Sequence, residues 1–205
     1  MSEQTLLVKI CGLTRLVDAD LCLEAGADYL GVIFADSPRA APGGLARTLN
    51  RRGDPVVGVF RHRDDEFILD IVEREELTTV QLHDPASTEL RDELTRRGVQ
   101  MWRAVPAERW REEDLLGASV LLLDGPHPGS GRSADWTAFE RPESGTPFLI
   151  AGGLRADNVA AMVEHIQPAG VDVASGVEVA PGVKSPELVR QFVRNARVSG
   201  REGSR

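Results

Sequence analysis

Apolar residues along this chain come in eight short bursts, at 6–10, 29–34, 56–60, 79–82, 100–104, 119–123, 148–151 and 170–174. Each has the length of a buried strand, and the ends, near residues 11, 34, 60, 83, 104, 124, 151 and 174, fall 20 to 27 residues apart. The intervals keep a different rhythm. Within 14–25, apolar side chains recur at Leu16, Ala19 and Leu23; within 66–76 they recur at Phe67, Ile68, Ile71 and Val72. That spacing collects them on one face of a helix. Segments 86–97, 157–165 and 186–197 behave likewise. The intervals after the fifth and sixth bursts are weaker, and 135–139 has room only for a short helix.

Strand alternating with helix predicts parallel β–α–β units. Eight of them predict an α/β, single-domain (β/α)8 TIM barrel, compact, with short or missing helices after strands 5 and 6. A doubly wound sheet is the structural competitor. It usually has fewer strands, and no Gly-x-Gly-x-x-Gly follows the first strand here. The 205 residues suit one domain, 1–199, with 200–205 (Gly-Arg-Glu-Gly-Ser-Arg) expected to be a disordered tail.

Composition narrows the setting. The net charge of −8 makes a poor nucleic-acid binder. No apolar run is long enough to span a membrane, and the first five residues lack a signal-peptide pattern. Cys11 and Cys22 do not make a disulfide framework. A cytoplasmic enzyme is expected, with no membrane and no nucleic-acid partner. Lys9 and Lys184 are the only lysines in an arginine-rich chain, which reads as coding bias.

In such a barrel, chemistry gathers at the carboxyl ends of the strands. Cys11, Arg39, His83, Asp124 and the loops at 152–154 and 174–178 all fall at or just after strand ends. Cys11 alone reads as a small core hydrophobe. At a strand tip, before Gly12 and a helix start that could lower its pKa, it reads as a base. Asp124 follows three leucines. It is either a turn cap before Gly125-Pro126 or a carboxyl desolvated into an acid. Ala151-Gly152-Gly153-Leu154 and Ala174-Ser175-Gly176-Val177-Glu178 are tight turns or, at this place in a barrel, a phosphate site. Arg39 is a surface arginine or a bidentate grip on an anion. His83 is a polar pocket wall or a satisfied buried histidine. No spaced ligand set predicts a metal. Lys9 shares a strand face with Cys11, so it should point inward, where neighbouring strand eight offers Asp172 as its partner.

Together these residues resemble the phosphoribosylanthranilate isomerase family of tryptophan biosynthesis, over roughly residues 6–195. The matching motifs are Lys9-Ile10-Cys11-Gly12-Leu13-Thr14, Gly26-Ala27-Asp28 with Gly31-Val32-Ile33-Phe34, Ser37-Pro38-Arg39, Val57-Gly58-Val59-Phe60 and Val80-Gln81-Leu82-His83. They continue with Leu122-Leu123-Asp124, Gly129-Ser130-Gly131 before Asp135-Trp136, Ala151-Gly152-Gly153-Leu154, and the run from Val171 to Glu178 before Pro181-Gly182. The resemblance implies an Amadori rearrangement of N-(5-phosphoribosyl)anthranilate without a cofactor. Asp124 would be the acid and Cys11 the base. Arg39 would hold the anthranilate carboxylate. His83, Asp172, Gly152, Gly153, Ser175 and Gly176 would complete the substrate site, the loops holding phosphate. The implied partner is a small phosphorylated aminosugar, and the implied assembly is a monomer or homodimer.

Some positions depart from the family pattern. Arg61-His62 stand where Val-Asn commonly follows strand three. Asp84 replaces a glycine, Pro128 a glycine, Ala134 an aromatic and Ser185 an aspartate. Two competitors have discriminating features. The histidine-pathway aminoaldose isomerase is usually longer, has an aspartate at the position of Cys11 and binds two phosphates. A non-catalytic phosphate-ligand-binding barrel would bind without turnover.

Overall fold

The computed structural model describes residues 5–125 and 145–202, with side chains to residue 198. The expected short helix at 135–139, the Gly129-Ser130-Gly131 and Asp135-Trp136 motifs, and Pro128 and Ala134 lie outside the described residues. Eight parallel strands close into a barrel in simple sequential order. They are β1 (Leu7–Cys11), β2 (Tyr29–Ile33), β3 (Val56–Phe60), β4 (Thr79–Leu82), β5 (Gln100–Pro106), β6 (Val120–Asp124), β7 (Phe148–Ala151) and β8 (Gly170–Val173). Closure comes from β1 pairing with β8, where Lys9 lies beside Asp172.

Alternation along each strand sorts the side chains into two cores. Val57, Val59, Trp102, Ala104, Val120, Leu122, Leu149 and Ala151 fill the barrel with Cys11. Their neighbours, such as Ile10, Val32, Phe60, Leu121, Leu123 and Ile150, face the helices. The leucine run before Asp124 is therefore a strand buried on both sides, as parallel barrel strands require. Asp124 itself follows the inward register of Val120 and Leu122.

The helices are α1 (Leu16–Glu24), α2 (Leu45–Arg51), α3 (Asp65–Arg74), α4 (Thr88–Arg96), α5 (Val159–Ile166) and α6 (Pro186–Glu202). Two start signals are explicit: Asp64 accepts the Phe67 N–H at 2.8 Å, and Ser87 accepts the Leu90 N–H at 2.9 Å. After β5 the connection is a single 3₁₀ turn, Glu112–Leu115. Helix α6 runs through Glu202, beyond the 199 boundary expected for the barrel. After β8 comes an unanticipated antiparallel pair, β9 (Glu178–Ala180) and β10 (Val183–Lys184). It folds back over the barrel mouth, and Thr14 Oγ1 donates to the Gly182 carbonyl at 2.6 Å.

Candidate active site

A pocket of about 250 Å³ opens at the carboxyl ends of the strands. Cys11, Arg39, His83, Asp124, Gly152, Gly153, Asp172, Ser175 and Gly176 all line it, so every site residue expected from the sequence meets in one place. Arg61, Gln81, Ile33 and Val59 complete the side formed by β2 to β4.

Cys11 is buried at the tip of β1. Its thiol has room because Gly31 stands opposite; a Cβ there would lie 2.6 Å from Sγ. The sequence reading of a helix-lowered thiol is corrected. Helix α1 starts at Leu16, and the thiol's pKa is raised rather than lowered. Burial pushes the Cys11 pKa above its ordinary 9.0, opposed by Lys9 and Lys184 and reinforced by Asp172.

Lys9 is fully buried, and its Nζ donates to Asp172 Oδ1 at 2.9 Å. Burial alone would lower the Lys9 pKa, but Asp172 and Cys11 outweigh it and the ammonium is retained. Asp172 thus reaches the pocket already paired. Its expected place beside Lys9 holds.

Asp124 sits at the end of β6. Burial among apolar walls lifts its pKa from 3.8 to about 7, with the Asp172 charge adding to the rise and Arg61 opposing it. Gly152, at φ 85°, brings the β7 loop against this carboxyl; a Cβ there would lie 2.7 Å from Asp124 Oδ1 and 2.5 Å from the Gly125 nitrogen. Across the β8 loop, Gly176 packs directly on the Leu154 carbonyl. The two glycine loops therefore touch and present backbone to the same side of the pocket.

Arg39 is engaged at rest. Its Nε donates to Glu178 Oε1 and Oε2 at 3.0 and 2.9 Å, and Nη2 lies 2.8 Å from Oε2. Glu178 also receives Lys184 Nζ at 2.8 Å. Burial would raise the Glu178 pKa, but these two cations hold it below the ordinary value. Lys184 Nζ further donates to the Cys11 carbonyl at 2.6 Å and the Ala174 carbonyl at 3.1 Å. It ties the ends of β1 and β8 together through β9 and β10.

His83 follows β4, and burial pushes its pKa down to about 4, helped by Arg61, Lys9 and Arg103. It is neutral near pH 7. Its Nε2 lies 3.2 Å from the buried Gln81 amide nitrogen, while Gln81 Oε1 has no partner. Gln81, Glu178 and Lys184 were missed as functional residues. Alternation from His83 would have found Gln81, and the scarcity of lysine would have found Lys184. Among the described residues, no cluster of three or more His, Cys, Asp or Glu could hold a metal. Among the described residues no helix is long and apolar enough to cross a membrane.

The family model described as N-(5'phosphoribosyl)anthranilate (PRA) isomerase matches residues 8–195. An N-(5'-phosphoribosyl)anthranilate isomerase of Myxococcus xanthus is 42% identical over 208 residues, covering 93% of this chain and 95% of its own. Among solved structures, TrpF from Jonesia denitrificans superposes with a TM-score of 0.82 at 34% identity, covering 95% of this chain and 98% of its own. A phosphoribosyl anthranilate isomerase in complex with reduced 1-(o-carboxyphenylamino)-1-deoxyribulose 5-phosphate does so with a TM-score of 0.74 at 32% identity, over 94% of this chain and 99% of its own. A family match across the barrel, on a chain that carries the expected thiol and carboxyl in one pocket, places this protein in the phosphoribosylanthranilate isomerase family.

Proposed function

We propose that this chain converts N-(5-phosphoribosyl)anthranilate to 1-(2-carboxyphenylamino)-1-deoxyribulose 5-phosphate, with Asp124 as general acid and Cys11 as general base. The observation that carries the reading is the pairing, in one pocket, of a buried carboxyl at about 7 with a thiol flanked by two lysines. Asp124 gives its proton to the ribose ring oxygen. The ring C1′–O bond breaks, and the nitrogen lone pair forms the iminium. The Cys11 thiolate then takes the C2′ proton, and the C–H electrons form the enolamine. Tautomerisation gives the ketone. No step calls on a cofactor.

Each group must start in its reactive form. At about 7, a large share of Asp124 is protonated near neutrality. Cys11 rests mainly as thiol, so the reactive pair is a minor form of the free protein, favoured by the positive charges of Lys9 and Lys184. The phosphate binds to backbone N–H groups of the Gly152-Gly153 and Ser175-Gly176 loops, which line the pocket and whose glycines put no side chain in an anion's way. Arg39 holds the anthranilate carboxylate with the donors that Glu178 leaves free. The neutral His83 and the unpartnered Gln81 oxygen offer hydrogen bonds to the sugar or the amine.

The test is direct. Purified protein is mixed with phosphoribosylanthranilate, and loss of anthranilate-type fluorescence is followed. Turnover is expected from the wild type and is expected to be largely lost in Asp124→Asn and Cys11→Ser. Saturable ligand binding with no turnover would make the chain a binding barrel instead.

A further inference from the structure

Three cations in or beneath the pocket wall are already matched with carboxylates: the buried Lys9 with Asp172, and Arg39 and the buried Lys184 with Glu178. Arg61 is different. It lines the same pocket from the end of β3, it is exposed, and no ion pair or hydrogen bond engages its side chain among the described residues.

The order of the closed barrel fixes what Arg61 faces. In a ring of eight sequential strands, β3 lies opposite β7. Arg61 therefore stands across the mouth from the Gly152-Gly153 loop, which lines the same pocket. A substrate with its phosphate on the glycine loops runs across the opening, and its other end arrives beside β2 and β3. Ile33 and Val59 supply an apolar seat there for an aromatic ring. A ring seated on them carries its carboxylate to the rim, where Arg61 waits without a counter-ion.

We propose that Arg61 receives the carboxylate of the substrate's aryl ring, beside Arg39, and so selects substrates whose far end is an anion. The proposal rests on the isomerase reading above. It gives Arg61 a task that Arg39 shares only in part, since two of Arg39's nitrogens are held by Glu178. The exposed guanidinium gives up little hydration before contact and stays charged at all relevant pH.

The experiment compares two substrates and three proteins. The substrates are N-(5-phosphoribosyl)anthranilate and N-(5-phosphoribosyl)aniline, which lacks only the carboxylate. The proteins are wild type, Arg61→Met and Arg61→Lys, and initial rates are read by chromatography. Arg61→Met is expected to lower kcat/KM for the anthranilate substrate about tenfold or more, mainly through KM, as loss of a charge-assisted hydrogen bond predicts. The aniline substrate should lose much less, feeling only the removal of the Arg61 charge near Asp124, and Arg61→Lys should recover part of the loss. Equal effects on both substrates, or none on either, would overturn the assignment of Arg61 while leaving the isomerase reading intact. A wild type that converts neither substrate would overturn that reading and this proposal with it.

Discussion

Asp124→Asn should remove most activity and yet stabilise the fold at neutral and alkaline pH. Burial lifts this carboxyl from 3.8 to about 7. Between those values the folded chain keeps a proton that the unfolded chain releases. The stability this group contributes is therefore complete below pH 3.8 and is lost as pH rises through about 7. The rise is about 3 units, and at about 1.36 kcal/mol per unit the ionised group costs the fold about 4 kcal/mol at pH 8. At pH 5 only about 1.5 kcal/mol of that has been lost. Asparagine keeps the shape and can still accept from the Gly125 N–H, but it never ionises. Urea denaturation of both proteins should show the variant's advantage widening by about 2–3 kcal/mol from pH 5 to pH 8. Parallel stability curves would mean that the folded chain does not hold the Asp124 proton, and the acid would lose its physical basis.

Cys11→Ser should lower kcat by about 10²–10⁴-fold and leave KM largely unchanged, because the thiol acts on a proton rather than on a binding group. A near-normal kcat would reduce Cys11 to packing. Lys9→Met leaves Asp172 buried without its cation and should cost about 3–5 kcal/mol in denaturant unfolding. Lys9→Met combined with Asp172→Leu should recover much of that loss; a double variant no more stable than the single would show that the pair is not the source.

The barrel was legible because its parallel strands are buried on both faces and show as unbroken apolar runs, while the helices show one apolar face. The antiparallel pair β9 and β10 was not legible, since three and two residues carry no periodic signal. Its consequences were hidden with it: Glu178 as the common partner of Arg39 and Lys184, and Lys184 as the bridge between the ends of β1 and β8. The scarcity of lysine was put down to coding bias, and Lys184 was passed over, yet both lysines are buried in ion pairs at the site. A chain that otherwise uses arginine keeps lysine where a compact ammonium must reach inward. The Cys11 thiol was misjudged because position next to a helix start was read as contact with its amino end. In three dimensions burial dominates, and the nearby positive charge comes from Lys9 and Lys184. Lys9 with Asp172 was readable because strand alternation and barrel closure together leave a buried ammonium few other partners.

The charge of the occupied pocket links binding to catalysis. At the carboxyl ends of the strands Lys9 is paired with Asp172, Arg39 and Lys184 are paired with Glu178, and the Arg61 charge acts on Asp124. The substrate brings a phosphate and a carboxylate into that balance. Added negative charge in a desolvated pocket opposes ionisation of Asp124, so its pKa in the complex should lie above the value of about 7 in the free protein. The profile of kcat/KM reports the free form and that of kcat the complex. The limb set by the acid should therefore fall at higher pH for kcat than for kcat/KM. Reciprocity requires the protonated form to bind substrate more tightly, so KM should rise as pH passes 7. Rates measured from pH 6 to pH 9 at constant ionic strength would show both effects. Raising the salt should shrink them only modestly, since the interacting charges are largely shielded from solvent. Coincident limbs with a flat KM would mean that the substrate's charges lie too far from Asp124 to be felt, and the phosphate could not then rest on the Gly152 loop, which touches that carboxyl.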